Sequence, residues 1–308
     1  MMGRLRQGVI AVDWGTSSFR LWRMAADGAV LAESRGPEGM AHCLTTGFAP
    51  VLDAHLQAVS APDDWPVLIC GMAGARQGWA EAPYADLPAP VSAIASQALH
   101  LPDAKAGGRD IRILPGLAQR DPARPDVMRG EETQLLGLAL SGHAGLVCMP
   151  GTHCKWARLQ DGAVQDFQSF MTGELYQLLS RHSILRLGLP EEGAPGPEDP
   201  AFLAAVAQSL ADPGLLTEAL FPIRAGGLLG YATPEDARAR LSGLVIGTEI
   251  GRMLPRLKDG PVTLLGQQGL GALYLAALRQ GGITPRLADA ETATRLGLFA
   301  AACEIWGI

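Results

Sequence analysis

The sequence predicts an α/β protein built in two halves, each a mixed sheet flanked by helices, and three observations carry that reading. Its 308 residues exceed what one compact core usually organises, so two domains or one large α/β unit are expected. Short apolar, β-branched runs alternate with longer stretches of helical periodicity. The third observation is a repeated paragraph. DWGTSSFRLWRMAADGAV, from Asp13 to Val30, and PGTHCKWARLQDGAV, from Pro150 to Val164, follow apolar runs, pass through a Gly-Thr pair and a basic residue, and end on the same four letters, DGAV. One copy in each half explains the match better than chance.

The elements follow in order. Gly8 to Trp14 is short, apolar and β-rich, and reads as a buried strand. Alternation in FRLWRMAADGAVLAES predicts two more strands joined at Ala26-Asp27-Gly28, because Asp-Gly is the usual two-residue hairpin signal. Further strands are expected at PVLICG and RDIRILPG, and a helix near Arg129 in RGEETQLLGLALSG, with Glu131 and Glu132 in the first turn where carboxylates suit the helix dipole. The second paragraph repeats the pattern: GLVCMP as the buried strand, Gly151-Thr152 as the turn, then a hairpin closed at Asp161-Gly162. TGELYQLLSRHSIL follows as a helix with Thr172 as its N-cap. The Pro- and Gly-rich EEGAPGPEDP is a loop, and helices are expected in AFLAAVAQSLA and PEDARARLSGLVIGTEIGRML. A strand VTLLG, a helix from Gly269 to Gln280, a short strand at TPRLA and a closing helix end the chain. The expected division is residues 1–141 and 142–290, with the helix at 291–308 packing back on the first half.

Composition narrows the partners. Apolar residues make up 48% and charged residues 18%, enough to bury a large core, and the net charge is −6. An acidic balance argues against nucleic acid or an anionic membrane as the main partner, since both need clustered Lys and Arg. No run approaches ~18 consecutive apolar residues and the N-terminus lacks a secretory pattern, so a cytoplasmic protein is expected. The five cysteines have no CxxC spacing and the histidines no HExxH, so neither zinc nor a disulfide framework is suggested. Lysine is scarce, three against 22 arginines, which makes Lys155 conspicuous.

A Gly-Thr turn after a buried strand offers backbone N–H groups and a hydroxyl at one place, the donors an anionic phosphate needs. Asp13 stands just before the first turn, where a carboxylate suits hydrated Mg2+. His153 or Lys155 would add a donor or positive charge beside the second turn. No GxxxxGK[ST] occurs, which excludes a P-loop. His153 and Cys154 are adjacent on a strand and point to opposite faces, so a Cys-His nucleophilic pair is rejected. GQQGLGALY, from Gly266 to Tyr274, is a weak dinucleotide fingerprint, with Tyr274 where the third glycine belongs, yet its glycines would let a base or ribose approach the backbone.

These features together resemble the actin, hexokinase and heat-shock-chaperone superfamily of ATPases, whose fold is ribonuclease H-like and two-lobed with a cleft between the lobes. DWGTSSFRLW, CGMAGARQGW, MRGEETQLLG, PGTHCKW, SFMTGELYQLLSRHSIL and LLGQQGLGALY, in this order, look like the 2-dehydro-3-deoxygalactonokinase family. The chain departs from that family's common pattern at Ser17-Ser18 and at Cys154. The resemblance implies ATP and Mg2+, with phosphates on Gly15, Thr16, Ser17, Gly151, Thr152, His153 and Lys155, the adenosine near Gly266, Gln267 and Gly269, and Asp13 near the metal. It implies a six-carbon 2-keto-3-deoxy acid phosphorylated at its terminal hydroxyl. Arginine suits a bidentate grip on the acid's carboxylate. Arg76 is the first choice, then Arg20 or Arg129, with Gln77, Thr172 and Glu174 as further substrate contacts. Glu131 is preferred as the catalytic base, with Glu132, Glu174 and Asp13 as alternatives. The gluconate epimer or a plain sugar is a second acceptor to consider, and a non-catalytic ATP switch a second class. A homodimer is left open.

Overall fold

The structure is a computed structural model and describes residues 7–102, 108–258, 260–266 and 268–308. It divides into two units. One comprises Met1–Ala144, Arg158–Phe167 and Ala290–Ile308, the other Gly145–Ala157 and Gln168–Asp289. The expected boundary kept 142–290 together; instead Arg158–Phe167, the outer part of the second hairpin, is grouped with the first unit.

The first unit opens with β1 (Gly8–Trp14), β2 (Phe19–Ala25) and β3 (Val30–Gly36), then α1 (Met40–Thr46), α2 (Phe48–Ala58) and β4 (Val67–Gly71). β5 (Tyr84–Asp86), β6 (Ala89–Pro90), α3 (Val91–Ala95), β7 (Leu99–His100), β8 (Ile111–Ile113), β9 (Gly116–Gln119), β10 (Asp126–Met128) and α4 (Glu131–Leu140) follow. One sheet has the order β3-β2-β1-β4-β8-β7, and a small one the order β10-β9-β5. β1 is antiparallel to β2 and parallel to β4, and all of it except Asp13 is buried. Trp14 anchors the core beneath: its ring meets Phe19 edge-on with centroids 4.7 Å apart, and its indole N–H donates to the Glu38 carbonyl at 3.0 Å.

Sequence reading missed α1 and α2. Phe48, Val51, Leu52 and Leu56 are the buried face of α2 at helical spacing, but Gly47 and Pro50 disguise its start. Proline is tolerated in a first turn, where its missing N–H has no partner to lose.

The two DGAV hairpins close differently. Asp161 (φ 52°) and Gly162 (φ 73°) both lie in the left-handed region, as a two-residue type I′ turn requires. In the first hairpin only Gly28 does; Gly28 N–H bonds the Ala25 carbonyl, Ala25 N–H bonds the Ala29 carbonyl, and the register shifts between Arg23 and Met24. The expected two-residue turn is therefore wrong for the first copy, because the shifted register adds a residue to the loop.

The second unit contains β11 (Gly145–Met149), the hairpin β12 (Cys154–Gln160) and β13 (Ala163–Phe170), then α5 (Thr172–His182), α6 (Pro200–Ala211), α7 (Leu216–Leu228), α8 (Pro234–Leu257), β14 (Val262–Leu265), α9 (Leu270–Gln280) and β15 (Arg286–Ala288). The sheet runs β15-β14-β11-β12-β13, with β14 parallel to both β11 and β15. α8 starts in a Thr233–Asp236 capping box. It packs on α6 at small residues: a Cβ on Gly243 would come within 2.4 Å of the Phe202 carbonyl oxygen. α7 escaped prediction because Pro222 lies inside it and Gly226-Gly227 in its last turn, both unfavourable in a helix.

The chain ends in α10 (Ala290–Trp306), which belongs to the first unit and packs on α4. Here too glycine permits the approach, since a Cβ on Gly297 would fall 1.9 Å from the Thr133 carbonyl oxygen. Among the described residues no helix is long and apolar enough to cross a membrane.

Candidate active site

In the first unit the chemistry gathers where β1 and β4 end. Strand register places Asp13 opposite Arg20 on β2 and Cys70 on β4. The Asp13 carboxylate lies 3.9 Å from the Arg20 guanidinium, and the Cys70 thiol points at it from 3.9 Å. Burial raises the Asp13 carboxyl above its ordinary range, partly opposed by Arg20. Arg20 also reaches Glu291 at 3.6 Å, so its guanidinium sits between two carboxylates. In the turn after β1, Gly15 N–H donates to the Ser18 carbonyl at 2.9 Å, and the Gly15 and Thr16 carbonyls accept from Met40 and Ala41. Thr16 and Ser17 are exposed. Gly15 N–H is thus spent within the turn, leaving the next residues to face a ligand.

The start of α4 supplies the acids. Gly130 turns with φ 105°, which glycine allows, and the two glutamates behind it diverge. Glu132 is fully buried; it accepts the Gly130 N–H at 2.6 Å and the Thr133 hydroxyl at 3.1 Å. Burial, and then the charge of Glu131, push its carboxyl up to about 8. Glu131 is half-buried and accepts the Arg129 N–H at 3.2 Å.

Arg129 lies with its guanidinium 4.4 Å from the centre of the Tyr84 ring and donates through Nη2 to the Ala82 carbonyl at 2.8 Å. Its Nε and Nη1 are buried with no partner among the described residues. Gly74 makes the room, since a Cβ there would be 2.8 Å from Nη1. Arg76 and Gln77 lie exposed in the turn after the short 3-10 helix Met72–Gly74.

In the second unit a cavity of about 420 Å3 is lined by Gly151, Thr152, Thr172, Val245, Gly269 and Tyr274, among others. The Gly151-Thr152 turn is held from behind. The Glu174 N–H bonds the Thr152 carbonyl at 2.9 Å, and a Cβ on Gly173 would come within 2.4 Å of the Gly151 carbonyl oxygen. His153 Nε2 and the Glu174 carboxylate are 2.5 Å apart, so each engages the other on an exposed rim. Lys155 is buried and donates to the His153 carbonyl at 3.3 Å. Gly266 (φ 95°) turns out of β14 with its N–H on the Ala288 carbonyl, and Gly269 (φ 54°), which lines the cavity, precedes α9. Gln267 lies outside the described residues.

Thr172 is not the N-cap of α5; Met171 is, and Thr172 is buried with its hydroxyl donating to Glu249. It lines the cavity of the second unit with its hydroxyl already bound. Glu249 and Trp156 were missed altogether, and Tyr274, noted only where a glycine was expected, has its hydroxyl on Glu249 at 2.6 Å. The available signal was a lone Glu249 amid LSGLVIGTEIGRML, since buried carboxylates need partners.

Comparison with known proteins is specific. The family model described as 2-keto-3-deoxy-galactonokinase matches residues 13–301. A probable 2-dehydro-3-deoxygalactonokinase of Rhizobium meliloti (strain 1021) is 54% identical over 300 residues, covering 96% of this chain and 97% of the relative. The 2-dehydro-3-deoxygalactonokinase of Escherichia coli (strain K12) is 34% identical over 290 residues, covering 94% and 95%. A crystal structure of a 2-dehydro-3-deoxygalactonokinase candidate from Sinorhizobium meliloti superposes with a TM-score of 0.92 at 53% identity, covering 97% of this chain and all of that one (100%). The activator of 2-hydroxyisocaproyl-CoA dehydratase from Clostridium difficile, with bound ADPNP, shares the fold with a TM-score of 0.52 at 13% identity, covering 96% and 95%.

Proposed function

The chain belongs to the 2-keto-3-deoxy-galactonokinase family, a sugar-acid kinase of actin-like ATPase fold, and on that footing we propose which of its residues carry the reaction. It phosphorylates 2-dehydro-3-deoxygalactonate with ATP, so the sugar acid and the nucleotide are its small-molecule partners. Membership of a kinase family sets aside the non-catalytic switch. The phosphoryl group goes to the terminal 6-hydroxyl, and we put the reaction in the cytoplasm.

The second unit takes the nucleotide. Its cavity has an apolar wall at Val245, Ile246 and Leu273 for a base, a glycine turn at Gly269 that lets a ribose approach, and the Gly151-Thr152 turn for phosphates. That one cavity, with the phosphate turn at its edge, carries the assignment. His153 and Lys155 add donors and positive charge beside the turn.

The first unit takes the acid and the proton. Arg129, ahead of Arg76, holds the substrate carboxylate, because its Nε and Nη1 are already desolvated with no partner among the described residues, and an acceptor arriving at either would relieve it. Gln77 and the exposed Arg76 serve the sugar hydroxyls. Glu131 orients the terminal hydroxyl and takes its proton as the oxygen bonds to the γ-phosphorus and the bond to ADP breaks. Glu132 is too deeply buried to reach a substrate.

Asp13 fits Mg2+: both its oxygens have only loose neighbours at 3.9 Å, and a carboxylate with water is the donor set that ion prefers. Bound there, Mg2+ would supply neutralisation of phosphate charge. Arg20 keeps Asp13 oriented.

ATP consumption with Mg2+ across 2-dehydro-3-deoxygalactonate, its gluconate epimer, galactonate, galactose and glucose tests the reading. Strong turnover of the first alone is expected. Equal turnover of the epimer would widen the substrate, and slow hydrolysis indifferent to every sugar would overturn the kinase. Light scattering on the same sample decides whether the chain is a homodimer.

A further inference from the structure

Glu249 stands in the middle of α8 at 2% exposure, with Val245, Ile246, Ile250 and Met253 buried around it. A carboxylate taken so far from water needs protein donors. Three arrive from three different segments. The Trp156 indole N–H donates to Oε1 at 2.7 Å, and the Tyr274 hydroxyl to Oε2 at 2.6 Å. The Thr172 hydroxyl donates to Oε2 as well. Indole nitrogen is a donor only, so Trp156 cannot be satisfied by anything but an acceptor.

Two of those segments wall the cavity assigned to the nucleotide, at Thr172 and Tyr274, and the third leads out of its phosphate turn. Trp156 is on β12, the strand that leaves the Gly151-Thr152 turn. Thr172 opens α5, whose Gly173 packs directly beneath that turn. Tyr274 lies in the helix that begins after Gly269 and lines the cavity. Phosphate turn, its buttress and the adenosine turn therefore share one acceptor.

We propose that Glu249 is a positioning residue of the nucleotide cavity: its buried carboxylate ties Trp156, Thr172 and Tyr274 together and so holds the phosphate turn, its buttress and the helix after Gly269 at the spacing the nucleotide requires. This rests on the nucleotide occupying the second unit's cavity. Cys148, Cys154 and Glu249 also bring three ligand-type atoms within 4.8 Å of one another, but the three donors aimed at the carboxylate favour an anion there over a metal ion. Burial raises the Glu249 carboxyl above its ordinary range, while hydrogen bonds from Cys154, Thr172, Tyr274 and Trp156 pull it back.

The test is calorimetric binding of a non-hydrolysable ATP analogue to the full chain, beside KM for the sugar acid and thermal unfolding without nucleotide. Glu249→Gln keeps shape and is expected to raise the nucleotide Kd by roughly tenfold, leaving KM for the acid within about twofold. Tyr274→Phe and Thr172→Val each remove one hydrogen bond and should raise the Kd by roughly threefold, which keeps the test decisive if Glu249→Gln does not fold. A Kd that none of these moves overturns the proposal, as does an equal weakening of both substrates in step with the melting temperature, the mark of a general packing role. Ala194→Trp, on the exposed rim of the cavity, separates the two claims. If it leaves nucleotide binding intact, the cavity assignment falls and the proposal with it; if it blocks binding while Glu249→Gln does not weaken it, the proposal alone falls.

Discussion

Glu132 in the first unit and Glu249 in the second are both sealed from solvent on a helix, at 0% and 2% exposure, yet their surroundings treat them differently. Glu132 meets backbone N–H groups of its own turn and the hydroxyl of its own neighbour, and shares that turn with Glu131, a second negative charge. Glu249 meets an indole N–H and two hydroxyls from distant segments. Burial penalises the charge at both sites. The donors and the sign of the neighbours set the two acids apart: Glu132, pushed to about 8, stays mostly protonated at neutral pH, whereas Glu249 has a partner for each oxygen.

The largest expected effect sets Glu132 against its half-buried neighbour. Glu131→Gln should lower kcat on the order of a hundredfold or more with little change in KM, while Glu132→Gln keeps kcat near wild type. Equal losses would erase the distinction between the two acids. Next comes stability. Glu249→Leu orphans three buried donors and should cost about 3 kcal/mol or more, against about 1–3 kcal/mol for Glu132→Leu, read from denaturant midpoints. A reversed order would mean that local packing, not donor count, sets the cost.

A third prediction concerns pH. In the unfolded chain the Glu132 carboxyl ionises near its ordinary 4.5, and in the fold near 8. The folded state therefore holds the proton more tightly, and its contribution is complete below about 4.5, then declines as pH rises to about 8. Unfolding free energies of wild type and Glu132→Gln at pH 5, 6.5 and 8 should converge at the acid end and diverge toward pH 8, with the variant the more stable there. Parallel profiles would show that Glu132 ionises normally in the fold. The smallest effect is Thr133→Val, which removes one hydroxyl from Glu132 and should cost about 1 kcal/mol by thermal melting.

Much of this architecture was legible as pattern. β1, β4, β11 and the DGAV hairpins announce themselves because a buried strand needs a short apolar run and a tight reversal needs Asp-Gly. α2 and α7 were hidden by Pro50, Pro222 and the adjoining glycines, whose penalties depend on where in a helix they fall. The proposed site residues divide the same way. Asp13, Gly151-Thr152 and Glu131 sit at punctuation marks in the sequence, at strand ends and a helix start. The engagement of Arg20 by Asp13 and Glu291, and the inward turn of Thr172, involve partners far along the chain, and no local signal carries them.

What the sequence determined by itself was the family, the succession of the core strands β1, β4 and β11, and the two Gly-Thr turns, since these depend on residue type at short spacing. Only the tertiary structure decided which of two adjacent glutamates is sealed in and which stays half-exposed. It also decided that two copies of DGAV close by different turns, and that Glu249, Trp156, Thr172 and Tyr274 meet. The physical reason is common to all three. Burial, register and hydrogen-bond partnership are properties of what packs against a residue, and a carboxylate's charge and orientation come from those neighbours rather than from its place in the chain.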